Sequence, residues 1–267
     1  EMLAHKTAHP IHFEPGGPAA LAGVNVQALD GPRGQYDAAT LEAAIRPDNR
    51  HMPRSRLAWV EQTSNLGGGS IWPLDKVHAV TEVARRRGLA THMDGARLMN
   101  AVVASGVSAQ QWAAPFDSAW IDFTKGLGAP VGAAIAGPRD FIAEAWRLKQ
   151  QMGGAMRQAG IIAAGGVYAL KHHVKRLAED HANAKRLAEG LATLPGITLD
   201  PATVETNLVF FDLTGALDAS AAVEQLLARG VRMGALGPRT IRAVTHLDVS
   251  AQGIERALDT AKAVFTG

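Results

Sequence analysis

Two short segments constrain this chain more than any other feature. In each, an apolar run that predicts a buried strand is followed by a charged side chain and then glycine, and the charged residues are Asp94 and Lys125. Ligands of open α/β sheets bind at the edge formed by the carboxyl ends of the parallel strands. The sequence therefore predicts that an acid and an amine lie at one such edge.

An aspartate and a lysine placed in this way are the two groups that pyridoxal phosphate chemistry requires. The lysine forms a Schiff base with the cofactor aldehyde, and the aspartate keeps the pyridine nitrogen protonated so that the ring can accept electrons. The small residues around Lys125 let a ring approach the backbone, and a partly desolvated lysine can act as a nucleophile. The alternative is a surface lysine in a turn, which the neighbouring Asp94 segment makes the weaker interpretation.

Composition excludes several classes of function. The chain has 267 residues, no cysteine and a formal charge of +2, so disulfides and thiolate metal sites are excluded and a cytoplasmic location is expected. We find no long apolar run, no signal peptide and no basic stripe interleaved with aromatic residues, which argues against a membrane or nucleic-acid partner. No metal-binding motif is present, so no metal site is predicted.

Strand and helix patterns alternate along the chain. They predict an α/β fold with a doubly wound, mostly parallel sheet. We expect a large domain over 1–155, a long connecting helix over 156–190 and a smaller α/β domain over 191–267. Because the chain enters directly into a strand at 1–5, we expect that part of the fold upstream of Glu1 is absent from this sequence.

Three further side chains are candidates for a site. His9 follows an apolar segment and could stack on a cofactor ring, although a plain loop histidine fits its spacing better. Arg97 would lie in the first turn of a helix after Asp94, where it could reach the same ring or simply face solvent. Arg242 alternates with apolar residues on a strand, and its burial would require a carboxylate, such as that of an amino acid.

Four blocks of sequence resemble a known family. They are His92–Asn100, Thr124–Gly132, Gly153–Gly160 and Val244–Ser250, and together they are similar to the bacterial low-specificity L-threonine aldolases. The resemblance spans the chain and implies the fold of the aspartate-aminotransferase-like enzymes (fold type I), with pyridoxal 5′-phosphate as cofactor. It also implies a homo-oligomer, a dimer of dimers, that acts on a small amino acid.

The resemblance assigns roles residue by residue. It implies that Lys125 carries the cofactor, that Asp94 binds the ring nitrogen, and that His9 stacks on the ring. Further matched positions are Arg97 near the ring hydroxyl, Thr124 near the phosphate, Arg242 on the substrate carboxylate, Arg157 lining the site, and Ser64, assigned to the substrate, where some members have a second histidine.

The implied activity is retro-aldol cleavage of L-threonine or L-allo-threonine to glycine and acetaldehyde, with His9 or a water it orients as base. The alternatives are a β-eliminating lyase or transaminase on the same scaffold and, more remotely, a non-catalytic homologue. The family's phosphate-cradling loop has no counterpart in this sequence.

Overall fold

The computed structural model of the chain describes residues 1–266, which divide into two compact units. The first unit comprises residues 1–67 and 71–174, and the second comprises residues 68–70 and the chain from Lys175 onward. The division at 174/175 falls inside the predicted connecting segment. The domain boundaries expected from the sequence stay a prediction.

The first unit contains strands and helices in alternation, with a 3₁₀ turn at Pro32–Gly34. Its strands are β1 (Met2–His5), β2 (Val26–Leu29), β3 (Leu57–Glu61), β4 (Ala90–Gly95), β5 (Ser118–Asp122) and β6 (Ala133–Ala136). Its helices are α1 (His9–His12), α2 (Gly17–Ala22), α3 (Ala38–Ala44), α4 (Leu74–Arg86), α5 (Leu98–Ser105), α6 (Ala109–Ala113), α7 (Arg139–Gln151) and α8 (Gly160–His172).

The strands of the first unit form one sheet in the order β2-β1-β3-β4-β5-β6. Every neighbouring pair is parallel except β5 with β6. From β1 the sheet extends to β2 on one side, and on the other side it extends to β3, β4 and β5. This reversal of strand order between β1 and β3 confirms the doubly wound, mostly parallel sheet. Strand β6 runs antiparallel because the loop that joins it to β5 contains no crossover helix.

Local sequence explains the helices that were predicted. Asp37 caps α3 by accepting the Thr40 backbone N–H at 2.7 Å, as expected of a residue at this position. Helix α4 buries Val77, Val80 and Ala84, and its last turn ends before Gly88, whose φ of 72° lies in the left-handed region. These side chains pack in one core with the central strands of the sheet.

The second unit contains α9 (Leu177–Leu191), β7 (Ile197–Thr198), β8 (Leu208–Leu213), α10 (Ala219–Ala228), β9 (Gly234–Ala235), β10 (Thr240–Val244) and α11 (Ala251–Phe265). Its four strands form an antiparallel sheet in the order β7-β8-β10-β9. The apolar faces of the three helices pack with the inner residues of β8 and β10 in a core of their own.

The expected long helix is wrong in one respect, because α8 ends at His172 and α9 begins at Leu177. No proline or glycine marks this break. The His173 ring instead bonds to the carbonyl of Leu127 at 2.6 Å, and Arg176 pairs with the Asp180 carboxylate at 2.6 Å. The bond of His173 to Leu127 is a tertiary contact over 46 positions, and neither it nor the local Arg176–Asp180 pair is encoded in the apolar periodicity of the segment.

The apolar pattern of the sequence also predicts a strand over 230–234. This prediction is wrong, since the strand there is β9 at Gly234–Ala235, and the turn after α10 occupies residues 229–230. Helix α7 is not among the predicted elements. It has no buried residue in the structure, but its apolar residues Phe141, Ala145 and Leu148 are spaced by four and three positions. That spacing is typical of an amphipathic helix and could have predicted it.

The adjacent leucines of α10 offer a test of the second core. Leu226 is fully buried and Leu227 is 49% exposed. We expect Leu226→Ala to lower the free energy of unfolding by about 2–5 kcal/mol, because it removes core contacts and leaves a cavity. Leu227→Ala should change it by about 0.5 kcal/mol or less. Urea unfolding of both variants measures this, and equal losses would contradict this packing of α10.

Candidate active site

Three carboxylates lie along the carboxyl edge of the first sheet. Glu61 is the last residue of β3, Asp94 lies one residue before the end of β4, and Asp122 ends β5. Glu61 and Asp94 are register partners on adjacent parallel strands. The sheet edge predicted to hold the site is therefore strongly acidic.

Asp94 is buried, with only 3% of its surface exposed. Burial raises the pKa of its carboxyl to about 7, with a further contribution from the neighbouring Glu61 carboxylate. The Ala96 backbone N–H donates to Oδ1 at 3.0 Å and lowers the pKa of Asp94. The charges of Lys125 and Arg97 lower it as well. A carboxyl in this position is poised to ionise when a cation arrives.

Lys125 lies three residues beyond β5, in the turn that follows the strand. Its Nζ atom is paired with the Asp122 carboxylate and lies 5.5 Å from the centre of the Trp120 ring. Burial opposes the ionisation of Asp122, but hydrogen bonds from Lys125 and Thr124 outweigh it and hold its pKa below the usual range. Because Lys125 also lowers the pKa of Asp94, these two predicted residues act on one another electrostatically.

Thr124 donates two hydrogen bonds to Asp122. Its backbone N–H and its hydroxyl both donate to Asp122 Oδ1, at 2.7 and 2.6 Å. The hydroxyl proton is thus directed to a carboxylate of the same loop. The predicted contact of Thr124 with a cofactor phosphate stays a prediction.

His9 lies close to the acidic edge through its backbone. Its N–H donates to Glu61 Oε2 at 2.8 Å, and its ring Nδ1 atom lies 2.5 Å from Glu14 Oε1. The ring also packs against Phe13, with 5.0 Å between the ring centres. The histidine is therefore held at both its backbone and its ring.

Arg97 is the N-cap residue of α5, which begins at Leu98. It therefore lies just before the helix and not in its first turn, where the sequence places it. Its backbone N–H donates to the Gln62 carbonyl at 3.1 Å. Its charge lowers the pKa values of both Asp94 and Glu61, so the guanidinium belongs to the electrostatic surroundings of the acidic edge.

Gly95 allows these strand ends to lie close together. A Cβ atom built on Gly95 would lie 2.2 Å from the carbonyl oxygen of Trp120 on β5. That separation is far shorter than van der Waals contact. Glycine is required here by the close approach of the two strands, and the requirement fixes the position of Asp94 relative to the turn that carries Lys125.

The remaining predicted residues lie in separate places. Ser64 is buried in the loop after β3, where a Cβ on Gly34 would approach its Oγ to 1.9 Å. Arg157 is exposed in the turn before α8. Arg242 is half-buried on β10 of the second unit, opposite Phe210 on β8, and burial lowers its pKa. Their assignment to substrate stays a prediction.

Sequence reasoning did not single out Glu61, Glu14 or Asp122. Glu61 lies one residue before the end of a strand predicted over 57–62, and Asp122 directly follows an apolar run over 118–121 that predicts a strand, so the rule that located Asp94 could have found them. Glu14 carried no comparable signal, because its contact with His9 depends on the fold of the loop around α1. The larger cavities do not mark the site either: one of about 540 Å³ is lined by Arg46, Arg54, Arg56 and Arg87 and holds none of these residues.

Within residues 1–266, no helix is long and apolar enough to span a membrane. Over the same residues, no group of three or more His, Cys, Asp or Glu side chains is arranged to hold a metal ion.

Comparison with known proteins establishes the family. A profile of the beta-eliminating lyase family matches residues 1–214. The chain belongs to the beta-eliminating lyase family. Its relatives include the low specificity L-threonine aldolase of Escherichia coli K12, 40% identical over 253 residues that cover 94% of this chain and 73% of that protein.

Solved structures share the fold of this family member. A Leishmania major threonine aldolase matches with a TM-score of 0.81 at 20% identity, covering 99% of this chain and 77% of that one. The protein SPT, solved with a PLP internal aldimine, matches with a TM-score of 0.73 at 17% identity and covers 98% and 65% of the two chains. At these identities the likeness confirms the fold alone, that of the aspartate-aminotransferase-like enzymes.

The raised pKa of Asp94 predicts a pH dependence of stability. The ordinary pKa of an aspartate carboxyl is 3.8, whereas that of Asp94 is about 7. Between these values the folded protein holds the extra proton, so this group's contribution to stability falls as pH rises. We expect Asp94→Asn without cofactor to be more stable than wild type above pH 7, by roughly 1–4 kcal/mol.

Urea unfolding across pH 4–9 checks this expectation, with Asp259→Asn on an exposed position of α11 as the control. The difference between wild type and Asp94→Asn should grow from pH 4 to pH 7. A difference that does not change with pH would show that Asp94 titrates like a surface carboxyl.

Proposed function

We propose that this protein cleaves L-threonine, L-allo-threonine and related β-hydroxy-α-amino acids into glycine and an aldehyde, with pyridoxal 5′-phosphate as cofactor. The observation that carries the proposal is the buried Asp94 carboxyl beside Lys125 at the carboxyl edge of a parallel sheet. The 40% identity with the aldolase of Escherichia coli supports the choice of reaction.

The residues present fit the cofactor. Asp94 is a buried acid with a pKa of about 7, and a protonated ring nitrogen would supply the positive charge that favours its ionised form. Lys125 is the amine at the same edge, and Arg97, His9 and Thr124 complete the proposed cofactor contacts. When bound, pyridoxal phosphate supplies a carbonyl that condenses with amines and a ring that takes up electrons from a breaking bond.

Lys125 must give up its present partner in order to react. Its Nζ atom is paired with the Asp122 carboxylate, and an amine held in an ion pair is not available to attack a carbonyl. The amine becomes a nucleophile only after it leaves this pair and loses a proton. Asp122 thereby holds the lysine at the sheet edge and sets the condition for its reaction.

His9 is the proposed base for the β-hydroxyl proton, acting directly or through a water that it orients. With the Nδ1 proton donated to Glu14, the lone pair resides on Nε2, which can accept a proton from a hydroxyl. We assign the substrate carboxylate to Arg242, because a guanidinium forms two parallel hydrogen bonds with a carboxylate. Arg157 and Ser64 are the further substrate contacts of this proposal.

The products formed from L-threonine distinguish this activity from a second candidate, β-elimination, which the name of the matched family favours. Retro-aldol cleavage releases glycine and acetaldehyde, and β-elimination releases ammonia and 2-oxobutanoate. We expect glycine and acetaldehyde in equal amounts, measured by amino-acid analysis and by a coupled aldehyde assay. Ammonia with no glycine would assign the protein to the second reaction.

The role of Lys125 has its own test. Borohydride reduction of the protein with pyridoxal phosphate, followed by peptide mapping, should place one pyridoxyl group on Lys125. Lys125→Ala should abolish this label, whereas Lys262→Ala should keep it, because Lys262 is an exposed residue on α11 of the second unit and not part of the first sheet. A pyridoxyl group that persists on another lysine would remove Lys125 from the mechanism.

Homo-oligomerisation is part of the proposal, and an apolar surface on α7 and α8 supports it. Trp146 is 58% exposed, Ile161 88% and Tyr168 57%. A large apolar patch on a protein surface marks a site of association. We propose that a second copy of the chain covers it and that the assembly is a dimer of dimers. The cytoplasmic location expected from the sequence stays a prediction.

Light scattering during size-exclusion chromatography tests the assembly. The wild-type protein should elute at a multiple of the 28.1 kDa chain mass, and Ile161→Asp should lower that mass by placing a charge in the contact. The control is Leu21→Asp on α2, a leucine that is 72% exposed outside the patch. If wild type is a monomer at micromolar concentration, the association proposal is wrong.

A further inference from the structure

Glu61 is a buried carboxylate whose two oxygens are bonded to different parts of the chain. Its exposed fraction is 5%. Oε2 accepts the backbone N–H of His9 at 2.8 Å, and Oε1 accepts that of Asn65 at 2.6 Å. The side chain therefore joins the end of β3 to the start of α1 and to the loop that follows β3.

The bond to His9 gives the first N–H group of α1 a hydrogen-bond acceptor, which the local sequence does not provide. The residue before this helix is Ala8, which has no side chain that can accept a hydrogen bond from the first turn. The carboxylate of Glu61, from a strand 52 positions further along the chain, takes that place. The backbone that carries the His9 ring is thereby bonded directly to the sheet edge.

Glu61 is also the nearest strand neighbour of Asp94. The two residues are register partners on β3 and β4, and the Glu61 charge raises the pKa of Asp94. Lys125, Arg97 and the Ala96 N–H face Asp94 and lower that pKa. Burial raises the pKa of Glu61 itself. The two backbone N–H groups and the charges of His9 and Arg97 lower this pKa, but burial outweighs them.

We propose that Glu61 is a positioning residue of this site, which fixes the backbone of His9 at the sheet edge and places a second carboxyl group next to Asp94 across the strand pair. The inference rests on the proposed function for its catalytic meaning. Glu61 touches neither substrate nor cofactor in this scheme. It acts through the proposed base and through the acid that would receive the ring nitrogen.

The matched change is Glu61→Gln, which keeps the size of the side chain, removes its charge and replaces one acceptor oxygen by an NH₂ group. In the 267-residue chain without cofactor, the titration midpoint of Asp94, followed by carboxyl ¹³C NMR, should fall by about one unit. The amide protons of His9 and Asn65 should be shifted downfield in wild type. At least one should move upfield and exchange faster in the variant, because an NH₂ group cannot accept its bond.

Two variants separate these effects from a general loss of structure. Glu82→Gln, on an exposed position of α4, should leave the Asp94 midpoint and both amides unchanged. In an Asp94→Asn background, Glu61→Gln should still move at least one of the two amide protons, because those bonds do not involve the Asp94 charge. That pattern is not expected of a residue that only supports the fold.

An unchanged Asp94 midpoint, or unchanged amides of both His9 and Asn65, in folded Glu61→Gln overturns the inference. If that variant does not fold, wild type alone decides, because unprotected amides at both positions also overturn it. None of these measurements requires turnover. A protein that fails to release glycine from threonine but shows both NMR effects would lose the proposed reaction and keep the role of Glu61.

Discussion

The pairing of β4 between β3 and β5 is the constraint on which the rest of the site depends. All three strands run in the same direction, so their carboxyl ends reach one edge and deliver Glu61, Asp94 and Asp122 to it. The approach of β4 to β5 is so close that Gly95 has no room for a Cβ atom. Backbone pairing therefore determines which side chains reach this edge of the sheet.

Placing three acids at one edge, with Glu61 and Asp94 buried and Asp122 partly buried, has a cost that the surrounding groups offset unequally. Hydrogen bonds to a charged group contribute about 1.5–3 kcal/mol each, whereas the burial of an ionised group costs several kcal/mol. Asp122, which receives Thr124 and Lys125, stays readily ionised, and its pKa is lowered. For Glu61, two backbone N–H groups do not outweigh burial, and its pKa is raised. For Asp94, burial and the Glu61 charge together bring the pKa to about 7.

This division of ionisation states is the property that the proposed function uses. An acid with a near-neutral pKa can respond to an arriving ring cation, while an ionised neighbour holds the reactive lysine in place. The two carboxyls lie on different strands, β4 and β5, so each can be adjusted by its own neighbours. Arg242, the proposed ligand of the substrate carboxylate, lies on the antiparallel sheet of the second unit, which has a core of its own.

The sequence by itself determined the parallel sheet, most of its strands and the position of Asp94 and Lys125 at the carboxyl edge. These depend on apolar runs, glycines and charged residues that are near one another in the chain, and local pattern encodes them directly. The partners of those residues were decided by tertiary structure alone. Glu61 meets His9 across 52 positions, and His173 bonds to Leu127 across 46 and accompanies the break of the expected long helix. Contacts over such separations depend on how the elements pack, and no local periodicity records them.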